Sequence, residues 1–142
     1  MKYSDTYIEF VIFSDLQMNH NEITNILGVE PKKIANKGDT IRYDLYEKNS
    51  YWLYSTKHID TLDVEEVIEI MLKIINPKIK ELSNYLNINK LESKFYIVIH
   101  NYTDTFPNYF ISRDFIKTCY FLNSEIDTDV YLSPLSEDYH KE

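Results

Sequence analysis

The sequence predicts an α+β domain: a ferredoxin-like β-α-β-β-α-β core extended by a C-terminal β-α-β unit, in one mainly antiparallel sheet with helices packed on one face. Three observations predict it. Segments in which apolar residues alternate are interleaved with segments in which they recur every three to four positions. Turn-forming residues separate these segments at short intervals. A chain of 142 residues that is 44% hydrophobic suffices for one core of ordinary size. A single domain is expected over residues 1–134, with an acidic, flexible tail at 135–142.

The first strand reads "YIEFVIFS", with Ile8, Phe10 and Ile12 alternating against Tyr7, Glu9, Val11 and Phe13. Apolar residues on both sides mark an inner strand. In "NHNEITNILG", Asn19 can cap a short helix with Glu22 three positions on, and Ile23, Ile26 and Leu27 form the buried stripe. Gly28 stands where a left-handed residue ends such a helix. The next stretch, "VEPKKIANKGD", carries Pro31 and Gly38 without a period and reads as a loop. "TIRYDLYE" and "SYWLYSTK" alternate on either side of the turn-forming "KNS" and read as an antiparallel hairpin. In its second strand Trp52 and Tyr54 share one face, and Tyr51, Leu53 and Ser55 the other.

From Asp63 to about Leu86 a helical stripe runs through Val64, Val67, Ile68, Met71, Ile74 or Ile75, Ile79, Leu82 and Leu86, with Asp63 and Glu66 in the places of a capping box. Pro77 interrupts it and predicts a kink or two abutting helices, with Asn76 as a new cap. "KFYIVIHN" is a strand, "YTDTFPN" a loop and "YFIS" a short strand. Ser112 then opens a helix with the stripe Phe115, Ile116, Cys119, Leu122 and Ile126, and "DVYLS" makes a last strand that ends at Pro134.

The formal net charge of −8, with cations dispersed along the chain, opposes binding to nucleic acid or to an anionic membrane surface. It favours a basic partner, a toxin for example. No apolar run approaches the ~20 residues of a membrane span. The N-terminus lacks the apolar core of a secretory signal, so a cytoplasmic location is expected. Two glycines cannot build a phosphate loop or a dinucleotide fingerprint, and neither a cysteine-based zinc pattern nor a nucleophile elbow is present. The single cysteine, Cys119, falls in a helical stripe and reads as a small buried hydrophobe. His20, His58, His100 and His140 lie on different expected elements, short of the several converging ligands a metal needs. Ser14 with Asp15, or Ser55 and Thr56 near His58, are residues of catalytic type without a converging triad. No catalytic residue, cofactor or metal is therefore expected.

Two clusters remain as candidates for an interface or pocket. Tyr43, Tyr46, Tyr51, Trp52 and Tyr54 could form an aromatic platform on the hairpin, since Trp and Tyr are enriched at binding hot spots. The competing reading packs Trp52 into the core with tyrosines at the rim. Asp60, Asp63, Glu65, Glu66 and Glu69 form the densest acidic run; they could face a basic partner or simply complement a helix dipole.

The stretches "EITNILGVEP", "KGD", "YWLYST" and "FISRDFIKTCYFLNSEIDTDVYL" resemble the bacterial domain-of-unknown-function family 4279 over about residues 5–132. The positions that carry the pattern are Gly28, Pro31, Gly38, Trp52 and Ser55. The resemblance implies small stand-alone bacterial proteins with no established reaction, some of them similar to the immunity proteins found beside secreted toxins. Two readings follow. One is a non-enzymatic protein-binding module, such as an immunity-like inhibitor of a toxin. The other is a small-ligand sensor or enzyme with a pocket between the sheet and the 29–39 loop, walled by Trp52. Self-association through the aromatic hairpin leaves monomer and homodimer both open.

Overall fold

The structure, a computed structural model, describes residues 3–133. Its elements run β1 (Ser4–Ser14), α1 (His20–Leu27), β2 (Lys33–Ala35), β3 (Thr40–Arg42), β4 (Leu45–Tyr46), β5 (Ser50–Ser55), α2 (Val64–Ile75), a 3-10 turn (Asn76–Lys78), α3 (Ile79–Ile88), β6 (Glu92–Asn101), α4 (Arg113–Leu122) and β7 (Glu125–Leu132). The fold is α+β. Its five-stranded sheet has the order β2-β5-β1-β6-β7, with every neighbouring pair antiparallel except β6 and β7, which are parallel.

Strict alternation places β1 at the centre. Its even-numbered residues are buried and its odd-numbered ones half-buried along all 11 positions. Ile8, Phe10 and Ile12 point to the helices with Trp52, Phe95, Ile97 and Ile99, and meet Ile23 of α1, Val67, Ile68 and Met71 of α2, Leu82 and Leu86 of α3 and Phe115 of α4. Phe95 is the hinge of this packing, stacked on Phe10 at 4.7 Å and edge-on to Phe115 at 5.1 Å. Such aromatic pairs add directionality to an otherwise non-directional apolar core.

Local chemistry sets the helix ends. Asn19 accepts the Glu22 N–H at 3.3 Å to start α1, and Gly28, at φ +71°, ends it by donating to Thr24 O at 2.8 Å. Asp63 starts α2 by accepting the Glu65 N–H at 3.2 Å. The expected capping box is not completed there, because the Asp63 N–H already donates to Thr61 Oγ1 at 3.0 Å. The break foreseen at Pro77 is the 3-10 turn; Asn76 does not cap a new helix there, being itself helical with its side chain accepting from Thr118 Oγ1 at 2.7 Å, which ties the turn to α4.

Several expected elements differ. The hairpin of residues 40–47 with 50–57 does not form: β3 pairs with β4 across Tyr43–Asp44, while β5 goes into the main sheet between β1 and β2. Asp44 reaches φ +57°, a left-handed conformation that a short polar side chain tolerates, and this folds "TIRYDLYE" back on itself. β2 arises inside the segment read as a loop, where Ile34 opposite Trp52 is its only large apolar residue. "YFIS" is not a strand; only Asn108 makes a bridge, to Asp63, and Phe110 is 53% exposed. α4 stops at Leu122 because Asn123 adopts φ +51° and donates to Cys119 O and Tyr120 O. Ile126 therefore belongs to β7, which starts earlier than "DVYLS", and Ile116 is exposed rather than buried. Pro134 and the 135–142 segment lie outside the described residues.

Candidate functional site

Among the described residues all the helices lie on one side of the sheet, so the odd-numbered residues of β1 and their neighbours face away from them. The register sets Val11 between Leu53 and Lys94, Phe13 between Tyr51 and Glu92, and Glu9 between Ser55 and Tyr96. These side chains are half-buried by one another, with Glu92 more exposed. They line a shallow groove of about 440 Å³ formed by Glu9, Val11, Phe13, Asn49, Tyr51, Leu53 and Tyr96. An antiparallel sheet open on one side ordinarily carries polar residues there. Here the middle of the open face is apolar and aromatic.

Charged side chains frame the groove. Lys33 lies over the Tyr51 ring at 5.8 Å, and Lys94 over Tyr96 at 5.0 Å while reaching Asp127 at 3.5 Å. Lys32 meets Glu9 at 3.6 Å and lies 5.8 Å from the Tyr7 ring. Each cation sits where a ring face and a carboxylate or phenol can both attract it. The Tyr51 hydroxyl donates to Glu47 at 3.3 Å, which adds a carboxylate at the same edge of the groove as Lys33.

Toward the N-terminal end of β1 the same face carries a row of titratable groups. Asp5 stands opposite His100 across the β1–β6 ladder, and its Oδ2 is 3.0 Å from His58 Nδ1. His58 stacks on Tyr7 at 3.9 Å with the planes 5° apart, and His100 stacks on Tyr131 at 4.7 Å. Burial, followed by the carboxylates of Glu9 and Asp5, pushes the Tyr7 phenol above its ordinary range, so it stays a hydrogen-bond donor. His58 and Asp5 make a base and an orienting group, but no nucleophile is hydrogen-bonded to His58 among the described residues. Cys119 is on α4, on the far side of the sheet, where burial pushes its thiol up to about 11. Among the described residues no group of three or more His, Cys, Asp or Glu could hold a metal ion, and no helix is long and apolar enough to cross a membrane.

The residues singled out from sequence fall in separate places. Trp52 is 0% exposed on the helix side, and its Nε1–H donates to Thr24 Oγ1 at 3.0 Å. It is core, and it cannot wall a pocket. Tyr54 stacks beside it, half-buried, with ring centroids 6.4 Å apart. Tyr51 alone of the five aromatics enters the groove. Tyr43, 93% exposed, is at the β3–β4 turn and Tyr46 on β4. The 29–39 segment contributes Ile34 to a shallow depression that Gln17, Met18, Asn19, His20 and Asn21 also line.

The acidic run is equally divided. Asp60 Oδ1 accepts from the Tyr3 N–H, the Ser4 N–H and Ser4 Oγ, tying down the start of β1. Asp63 caps α2, Glu65 and Glu66 are in its first turn, and Glu69 faces solvent. Ser50, beside Tyr51, pairs with Ser14 at the other end of β1. At ~3.3 Å per residue Tyr51, opposite Phe13, and Asp60, at Ser4, are roughly 30 Å apart along that strand. They do not form one surface. Of the family-pattern positions, Gly28 and Gly38 take positive φ, Pro31 precedes β2, Trp52 is core, and the Ser55 hydroxyl donates to Thr56 O at 2.9 Å.

The groove itself was missed. Its signal was the apolar character of both sides of "YIEFVIFS", and Val11 and Phe13 serve the open face rather than a second layer.

Residues 4–133 match the family described as "Domain of unknown function (DUF4279)". No curated protein and no solved structure matches the chain.

Proposed function

The chain belongs to the DUF4279 family, and from that premise together with the geometry of its sheet we propose that it is a non-enzymatic protein-binding module whose docking surface is the open face. The observation that carries this reading is the apolar floor of Val11, Phe13 and Leu53 between Tyr51 and Tyr96, on a sheet face that no helix covers among the described residues. Aromatic side chains around an apolar centre with a charged rim are the anatomy of a binding hot spot. The net charge of −8 suits a basic partner, and an immunity-like inhibitor seated on a toxin is the concrete form of the proposal. The strand order β2-β5-β1-β6, all antiparallel, supports a ferredoxin-like core to which β7 is appended.

Native mass spectrometry of the untagged protein isolated from its own host tests the reading. The expected result is a co-isolated basic protein in stoichiometric amount. Val11→Glu with Leu53→Glu should weaken that complex by at least ~30-fold, the equivalent of a hot-spot loss of about 2 kcal/mol. Tyr120→Glu, on the exposed side of α4, should leave it intact. A partner retained by the groove variant overturns the proposed surface. A bound mass of a few hundred daltons in place of a protein favours the small-ligand reading instead.

A further inference from the structure

The sheet ends at β7, which has a strand neighbour on one side only among the described residues. We infer that this edge accepts an added strand from a partner protein, an extended segment with basic residues on one face and apolar residues on the other. The inference deepens the binding-module reading and rests on it.

The direction of the edge follows from one hydrogen bond. Ser133 N–H donates to Asn101 O at 3.0 Å, so the odd-numbered residues of β7 turn their backbone groups toward β6. By alternation Ile126, Thr128, Val130 and Leu132 turn theirs outward. This is a row of donors and acceptors of the kind that strand addition uses.

Side chains choose the occupant. Glu125, Asp127 and Asp129 stand in line on the open face, opposite Lys94, Tyr96 and Val98, and so continue the groove to the edge. Lys94 meets Asp127, while Glu125 and Asp129 make no ion pair among the described residues. On the other face Val130 and Leu132 are 46% and 69% exposed. A second copy fits this edge badly. A two-fold axis pairs the edges antiparallel, and a register centred anywhere near the acids sets Asp127 against Asp129 or an acid against itself. Lysine or arginine at alternate positions of an incoming strand would meet the same acids favourably, with apolar residues between them over Val130 and Leu132.

The test uses the full chain, labelled with nitrogen-15, and a capped eight-residue peptide alternating lysine and valine. The expected result is saturable binding with slowed amide exchange at Ile126, Thr128, Val130 and Leu132. The matched glutamate–valine peptide should bind at least about tenfold more weakly. Val130→Pro removes an outward donor at the kind of edge position where proline is tolerated, so it should abolish binding with the melting temperature changed by no more than about 2 °C. Asp129→Lys, which leaves Glu125 and Asp127 in place, should narrow the preference for the lysine peptide and serves if the proline variant fails to fold. The inference is overturned if those four amides are already protected in the free chain, if the peptide leaves them unchanged, or if both peptides bind alike. Concentration-dependent self-association that protects the same amides also overturns it, in favour of a second copy. A natural partner that protects Val11 and Leu53 but leaves the outward β7 amides exchanging would sink strand addition and keep the binding module.

Discussion

Trp52 combines the two demands that a large amphipathic side chain makes on a core: its rings are fully buried beside α1, and its one polar atom finds Thr24 Oγ1. Trp52→Phe should cost about 1–2 kcal/mol, from lost volume and from the half-buried Thr24 hydroxyl left without its donor. Trp52→Ala should cost about 3–5 kcal/mol. Urea denaturation measures both, and a Phe variant as stable as the parent would show that the indole bond contributes nothing. Period-two alternation correctly paired Trp52 with Tyr54 and separated them from Tyr51. It could not say which side faced the helices, because both sides of β5 carry apolar residues. The same ambiguity hid Val11 and Phe13. Tyr85 was not singled out at all, although its hydroxyl donates to Glu22 at 2.6 Å and links α3 to α1; burial, then that carboxylate, raises its pKa. Nothing short of the fold brings residues 63 positions apart into contact.

At the scale of elements, capping and punctuation decided most boundaries. Asn19, Gly28, Asp63, Pro77 and Ser112 act where the sequence placed them. Asp63→Ala should destabilise the protein by about 1 kcal/mol through the exposed Glu65 N–H. Glu66→Ala should change little, since Thr61 has taken the donor that a capping-box glutamate would accept from. Thermal melting of the two variants distinguishes a single cap from the full box, which would make both costly. Boundaries were misplaced where a non-glycine residue adopts a left-handed conformation. Asn123 and Asp44 both do so, and at each the chain turns where the hydrophobic pattern ran on. β2 escaped notice because three residues are too few for a period, and its pairing with β5 is what makes it a strand.

For the molecule as a whole, the governing feature is a sheet with one covered and one open face. Ile12 and Val11 are chain neighbours on opposite sides of it. Ile12→Glu should unfold the protein, because a carboxylate would be buried among Trp52 and Ile23 without a partner, at a cost of several kcal/mol even after it takes up a proton. Val11→Glu should cost about 1 kcal/mol or less, since water reaches that side. Chemical denaturation checks the pair; equal losses would mean that a further layer covers the open face. This contrast also makes Val11 a usable probe of binding, as its variant should stay folded.

The sequence by itself determined the class of the fold, the main strands, the principal helices and most of their caps, because periodicity and capping act within a few residues of one another. It also carried the family pattern from the 22–31 stretch to β7. Only the tertiary structure decided which strands pair, which face of each is core, and which candidate residues share a surface. Those choices depend on contacts such as Asp60 with Ser4 and His58 with Asp5, made across more than 50 residues. Of the expected site, Tyr51 alone entered the groove. Tyr51 and Asp60, nine positions apart along the chain, stand toward opposite ends of β1, because β5 runs antiparallel along it and carries the chain from one end toward the other.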